Sequence, residues 1–306
     1  MGDSTLVLSH HWQAGSELSY VIRTLAGAVS RRGPVHVVVP GLEEGVRADG
    51  AFDLKPTWPS SVPAGAPVIV DELRPGDEQM LGRLEGSGRL FAVDSTGELL
   101  GTTGGERLTL VPNSAAPGAE LGLHVPVNPL AATHRHNGLG FVDYVLILSG
   151  RTESQSEPPA EAAWLTAALP SADVVVVERA EATVWRGRAR RGVVGVDSRT
   201  DLWRLMAHAS VCVDLAPGAF IARECVESLL FGTPIIVPGQ AAAAAAHAQS
   251  GAGLMFDTMA ELIDAVTRVG DPDRRRALSE AGLTYAQPLY GDPPAFVAKV
   301  AQALRG

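Results

Sequence analysis

A chain of 306 residues is longer than one hydrophobic core of ordinary size requires and suits two domains of roughly 100 to 150 residues each. Hydrophobic residues make up 46% and charged residues 19%, which excludes a globally disordered chain. A net charge of −9 argues against nucleic acid as a partner, which needs a broad basic face, and there is no run of about 18 apolar residues to form an integral membrane segment. The two cysteines, Cys212 and Cys225, lack CxxC spacing and sit in apolar surroundings, so buried free thiols in a reducing compartment are expected rather than a disulfide or a thiolate metal site. The start, MGDSTLVLSHHW, has neither the charged nor the apolar region of a signal peptide, and Leu6 stands where a myristoylation signal wants Ser or Thr. A cytoplasmic location is the expectation.

In chain order, Thr5 to Ser9 reads as an apolar strand, followed by the loop HHWQAGS and a helix with Leu18, Val21, Ile22, Leu25 and Val29 at helical spacing. Arg31-Arg32-Gly33 is expected to close that helix as a cationic turn with a glycine cap, before the strand VHVVVP. Residues 47–67 are rich in Pro, Ser, Gly and Ala and carry at most one weak strand near Phe52 to Lys55. The strand VIVDE, a helix around Asp77 to Leu84, and the strands RLFAVD and LTLVPN complete the first domain. NPLAATHRHNGLG, residues 128–140, is the best linker.

Strands then follow at Tyr144 to Leu148, Val174 to Val177, Val193 to Val196, Val211 to Asp214 and Pro234 to Val237, with helices near 160–169, 200–208 and 224–231. Nearly unbroken apolar strands separated by helices imply parallel sheets covered on both faces. The run of alanines from Ala241 to Ala246 favours helix. Arg274 to Arg276, after Asp271 and Asp273, read as a charged helix start, and PPAFVAKVAQALRG as a terminal amphipathic helix. The basic run Trp185 to Arg191 either guides an anionic acceptor, stacks a base on Trp185, or is a solvated hairpin or loop. The domains expected are 1–135 and 136–285, with 286–306 as the final helix.

The densest signal is LWRLMAHASVCVDLAPGAFIARECVESLLFGTPIIVPG, residues 202–239: a strand, a loop of small residues, a helix opening with Glu227, Gly232 and Pro234 to end it, and a strand from Ile235 to Val237. This order resembles the donor-binding region of glycosyltransferase family 4. The resemblance implies an α/β protein of two Rossmann-like doubly wound parallel-sheet domains facing a cleft, the GT-B fold, hinged near the linker, with the last helix crossing back to the first domain. It also implies that Glu227 hydrogen-bonds the ribose of a nucleotide sugar while N–H groups at the helix start face its diphosphate. Pro217, Gly218, Ala219 and Phe220 would form the loop against which the donor lies, and the base would lie near Gly195 and Val196. The physics agrees, since a helix start offers unpaired donors to an anion and a carboxylate accepts from paired hydroxyls. The same acid also suits the first turn of a helix without any ligand.

Two further places carry the resemblance. Gly150-Arg151, directly after DYVLILS, matches a Gly-Arg whose cation meets the departing diphosphate. A guanidinium fork does so without a metal, although a solvated arginine at a strand end reads the same. Gly15, in the loop after the first strand, stands where the family often has a Gly-Gly pair close to the donor phosphate. Three departures accompany these matches. Ala219 occupies the place of a second glutamate, Thr152 to Ser156 include no lysine as second cation, and alanines replace a usually polar donor loop.

On the acceptor side the candidates are His10, His11, Asp71 and His124. The histidines of 10 and 11 suit either acceptor contact or loop polarity; Asp71 and Glu72 either bind an acceptor or cap a helix. His124, with His134, Arg135 and His136, either orients an acceptor hydroxyl or belongs to an ordinary hinge surface. No metal-ligand spacing and no GxGxxG is present, so no metal and no cofactor beyond the donor substrate is expected. The leading reading is a retaining, metal-independent glycosyltransferase with Arg151 and Glu227 as its catalytic residues, moving a sugar from a nucleoside diphosphate sugar to an unknown acceptor. The alternative is a non-catalytic subunit of the same fold that binds a protein partner. An epimerase or phosphorylase would want an acidic constellation or a cofactor-linked lysine, and neither is found.

Overall fold

The computed structural model describes residues 4–10, 12, 17–40, 42, 48–49, 52–55, 66–71, 90–94, 106–111, 123–125, 142–149, 160–178, 181–186, 189–218 and 221–303. Contacts divide the chain into two compact units, Met1–Pro126 with Pro293–Gly306, and Val127–Asp292. The expected helix at 77–84 and the linker at 128–140 lie outside the described residues.

The first unit opens with β1 (Thr5–Leu8), α1 (Glu17–Ser30) and β2 (Val35–Val38), followed by β3 (Ala48–Asp49), β4 (Phe52–Lys55), β5 (Val68–Val70), β6 (Leu90–Asp94), β7 (Glu106–Val111) and β8 (Leu123–His124). The sheet order is β3-β4-β2-β1-β5-β6-β7-β8, parallel throughout except for the β3–β4 pair. Leu6, Val7 and Leu8 are all fully buried, because a central strand of such a sheet is covered on both faces. α1 turns Leu18, Val21, Ile22 and Leu25 inward, the face set by their spacing. The expected glycine cap of α1 is corrected: the helix ends at Ser30, and Gly33 is absent from the positive-φ residues. Gly33 precedes Pro34, whose ring drives the preceding residue toward extended backbone and straight into β2.

The second unit contains β9 (Tyr144–Leu148), α2 (Ala160–Ala168), β10 (Asp173–Glu178), β11 (Glu181–Arg186), β12 (Ala189–Gly195), α3 (Arg199–His208), β13 (Ala209–Asp214), α4 (Arg223–Leu230), β14 (Ile235–Pro238), α5 (Ala242–His247), a π-helical turn (Ala248–Ala252), β15 (Gly253–Phe256), α6 (Met259–Val269) and α7 (Pro272–Tyr290). The sheet has 7 strands in the order β12-β11-β10-β9-β13-β14-β15, where five were expected. The additional strands are β11 and β15, and β11 runs antiparallel to both β10 and β12. The basic run therefore lies on a hairpin, with Arg186, Arg190 and Arg191 exposed.

Apolar runs in the central strands serve two cores by alternation. Val145 and Ile147 of β9 join Val174, Val176, Val211 and Val213 beneath Leu262 and Val266 of α6. Tyr144, Leu146 and Leu148 face the other way, with Leu202, Leu205 and Met206 of α3. α4 ends in a Schellman motif: Gly232 at φ 75 donates to the Leu229 carbonyl, and Thr233 donates to that of Ser228. From Pro293 the chain rejoins the first unit as α8 (Pro293–Ala303), which buries Phe296 and Val300. Arg32, just beyond α1, donates from Nη1 to the Ala301 carbonyl at 3.2 Å.

Candidate functional site

Each sheet has a place where successive strands diverge to opposite sides, and in open α/β sheets ligands bind beyond the carboxyl ends of the strands at that place. In the first unit it falls between β1 and β5. Asp71, directly after β5, is buried there. Its Oδ1 accepts from the His10 N–H at 3.0 Å, and its Oδ2 accepts from the Ser9 hydroxyl. The carboxylate thus ties the exits of β1 and β5 together.

In the second unit the strands diverge between β9 and β13, because α3 carries the chain from the β10–β12 side across to β13. Leu215 N–H donates to the Leu148 carbonyl at 3.0 Å, so the two strand exits lie side by side. Asp214 ends β13 in the interior and accepts from the Ala216 N–H at 3.3 Å and the Cys225 thiol at 3.6 Å. Both cysteines are free and buried, and burial pushes both thiols well above their ordinary value.

Next to this crevice α3 and α4 are joined by four charges. Arg199 donates from Nε to Glu227 Oε1 at 2.9 Å and from Nη1 to Glu224 Oε1 at 2.7 Å, while its Nη2 lies 2.5 Å from Glu227 Oε2. Arg223 donates from Nε to the same Glu227 Oε1 at 2.9 Å. Glu227 has a side-chain exposure of 0%, whereas Arg199 and Glu224 keep 30% and 29%. Burial pushes the Glu227 carboxyl up against the opposing pull of the two guanidiniums. Burial also opposes the charge on Arg199, but the Glu227 and Glu224 carboxylates prevail and hold it above its ordinary value. Three partly exposed charges, Arg199, Arg223 and Glu224, therefore surround one buried carboxylate.

Glu227 does not open α4, which corrects the sequence expectation. The helix begins at Arg223, and Glu227 lies a full turn inside it. Its start is set by Ala222, which adopts the left-handed conformation at φ 45, ψ 60 and offers no capping side chain. The acid in the first turn is Glu224. Sequence reasoning missed Arg199, Arg223 and Glu224. A signal for the first was present in Ser198 and Asp201, which form a capping box around the start of α3. Arg223 and Glu227 have the i, i+4 spacing of a helical ion pair.

The remaining expected residues are distributed as follows. Gly195 ends β12, Val196 follows it in the interior, and Pro217 and Gly218 lie half-buried in the loop after β13. A Cβ on Gly195 would stand 3.3 Å from the Asp197 carboxylate, an approach eased by glycine. His124 pairs with Val111 at the edge of the first sheet. His11, Gly15, Gly150, Arg151, Ala219 and Phe220, with Glu72, His134, Arg135 and His136, lie outside the described residues. Among the described residues no helix is long and apolar enough to cross a membrane, and no group of three or more His, Cys, Asp or Glu side chains is placed to hold a metal ion.

Two parallel α/β units, each with a crevice where its strands diverge, define a protein of two Rossmann-like halves. More particularly, the chain has the GT-B fold of glycosyltransferases. It is similar to WaaG, a glycosyltransferase involved in lipopolysaccharide biosynthesis, at 15% identity over 98% of this chain and 100% of that one, with a TM-score of 0.59. It is likewise similar to sucrose-phosphate synthase from Thermosynechococcus elongatus, at 12% identity over 99% and 98% of the two chains, with a TM-score of 0.65. A third similar structure is the spinosyn rhamnosyltransferase SpnG complexed with thymidine diphosphate, at 13% identity over 97% and 100%, with a TM-score of 0.60. No family model and no curated protein matches the chain by sequence.

Proposed function

We propose that the protein is a glycosyltransferase that moves a sugar from a nucleoside diphosphate sugar to an acceptor, with retention at the anomeric carbon and without a metal. The observation that carries this reading is the Arg199–Glu224–Glu227–Arg223 cluster beside the β9–β13 crevice, in a chain whose structural likenesses are to glycosyltransferases over its whole length. The solved SpnG complex with thymidine diphosphate supports a nucleoside diphosphate as the leaving group. Retention is supported by the resemblance of residues 202–239 to family 4. In such a transfer the bond from anomeric carbon to phosphate breaks, the diphosphate departs with the electron pair, and the acceptor oxygen bonds to the same face. The acceptor proton passes to the diphosphate.

In this reading the ribose hydroxyls meet the carboxylates of α4, Glu224 at the rim and Glu227 behind it. Arg151 and the start of α4 stabilise the departing charge, so guanidinium groups do the work of a metal. The base lies by Gly195 and Val196, and the donor against the loop at Pro217 and Gly218. The two buried thiols support a reducing, cytoplasmic setting.

Titration calorimetry with UDP, GDP, ADP and TDP tests the proposal. One nucleotide should bind, and Glu224→Ala should weaken it. No binding of any of the four at millimolar concentration would remove the donor site. A second reading, a non-catalytic subunit that binds a protein partner, is favoured by two observations. Glu227 is itself buried and already paired with two arginines, and Ala243, Ala244 and Ala245 of α5 are buried where family 4 usually has a polar donor loop.

A further inference from the structure

Behind the start of α4 lies a buried polar cluster that the site above does not use. His247, the last residue of α5, is fully buried. Its Nε2 lies 2.8 Å from the Ile221 carbonyl oxygen and its Nδ1 lies 2.9 Å from the Tyr285 hydroxyl. A carbonyl can only accept, so Nε2 carries the proton and donates to Ile221, and Nδ1 accepts from the Tyr285 O–H. Of the two neutral tautomers, only this one makes both bonds at once. Burial pushes the imidazole down to about 4, against the opposing effect of the Ile221 bond, so the ring is neutral at ordinary pH.

The ring is held from several sides. Tyr285 and Tyr290 of α7 pack edge-on against it, with centroids 5.8 Å and 5.5 Å away. Ser250 of the π-helical turn donates from its hydroxyl to the His247 carbonyl at 2.6 Å. Burial raises both phenols above their ordinary value, so neither brings charge to the cluster.

The carbonyl held by His247 belongs to a demanding piece of backbone. Ile221 and Ala222 are both fully buried, and Ala222 takes the left-handed conformation, which is unfavourable for a residue with a Cβ. Ala222 also has no side chain with which to cap α4, whose next residues are Arg223, Glu224 and, one turn on, Glu227. The direction in which those three side chains leave the helix follows from the geometry of Ala222.

We propose that His247, oriented by Tyr285, is a positioning residue that fixes the Ile221–Ala222 backbone and through it aims the Arg223–Glu224–Glu227 face of α4 at the nucleotide. The aim toward a nucleotide rests on the donor site proposed above; the hold on α4 does not. Glutamine is the conservative replacement, because its terminal amide N–H reaches about as far as Nε2–H. Leucine fills similar space without a donor. His247→Asn, with an amide too short to reach Ile221, serves instead should the leucine variant fail to fold.

Two readouts on the full chain separate the parts of the claim. Hydrogen exchange without nucleotide should quicken about tenfold at the amides of Val226 to Leu229 in His247→Leu, return to the wild-type rate in His247→Gln, and change about threefold in Tyr285→Phe, as loss of one buried hydrogen bond implies. Calorimetry with the nucleotide that the wild type binds should show affinity about tenfold weaker in His247→Leu and within about threefold of wild type in His247→Gln. Unchanged exchange in α4 of His247→Leu overturns the proposal. So does undiminished affinity of His247→Leu for a nucleotide that the wild type binds. A wild type that binds no nucleotide ends the donor reading, and exchange alone then decides whether His247 holds α4.

Discussion

The two crevices use the same topology and fasten it differently. Beyond β1 and β5 the Asp71 carboxylate takes hydrogen bonds from two neutral donors, the Ser9 hydroxyl and the His10 N–H. Beside β9 and β13 the Glu227 carboxylate is met by two guanidiniums. A lost hydrogen bond from a neutral donor to a carboxylate costs about 1.5–3 kcal/mol, whereas breaking a buried ion pair strands a charge at about 3–5 kcal/mol. The ion pairs of the second crevice are thus the more costly to disturb, and Arg199 and Glu224 keep charges of both signs partly exposed beside it.

The largest effect should come from Arg199→Ala, which leaves Glu227 in the interior with one partner. Urea unfolding should show a loss of about 3–5 kcal/mol, and a loss below about 1 kcal/mol would mean that the charge is not buried as described. Next comes the pH dependence due to His247. Its folded value of about 4 lies below its ordinary 6.5, so the unfolded chain takes up the proton first as pH falls. The contribution is complete above pH 6.5, is lost between 6.5 and about 4, and amounts to roughly 3 kcal/mol. The difference in stability between wild type and His247→Gln, followed across that window, isolates it from the carboxylates. A difference that stays constant with pH contradicts a neutral buried ring.

Asp71→Ala should cost less than Arg199→Ala, about 1–3 kcal/mol by the same unfolding measurement. Equal or larger losses there would erase the distinction between the crevices. The smallest effect should be that of Ser198→Ala, about 1 kcal/mol, because it removes one side of the capping box that starts α3 beneath Arg199. Full retention of stability would show that the Arg199 ion pairs, not the cap, hold the start of that helix.

Much of this architecture is legible in the sequence. Runs such as LVLS, VHVVVP and DYVLILS mark central parallel strands because burial on both faces leaves no polar alternation to confuse the reading. Even the weak strand at Phe52–Lys55 is found. The hairpin of β11 and β12 is not so clear. Arg186, Arg190 and Arg191 lie on its exposed side, where polarity mimics a loop, and pairing with β10 supplies what propensity does not. β15 is hidden by its brevity and by the alanines and glycines before it.

The site is less legible than the fold. Asp71 and Glu227 draw attention as acids at strand ends or helix starts, but their partners are 62 and 28 residues away, and no spacing rule links Ser9 to Asp71 or Arg199 to Glu227. The start of α4 is misjudged because Ala222 gives none of the usual capping signals. His247 reads as the end of an alanine run, and its role depends on Ile221 and Tyr285, which only the folded chain brings to it.

In the proposed reaction the crevice of the second unit, and not that of the first, receives the nucleotide. Hydrogen exchange of the wild type with and without the tightest binding of UDP, GDP, ADP and TDP tests it most directly. Exchange should slow at residues 196–202 and 221–229, with residues 5–10 and 68–71 unchanged. Protection confined to 5–10 and 68–71, or protection nowhere, would contradict it.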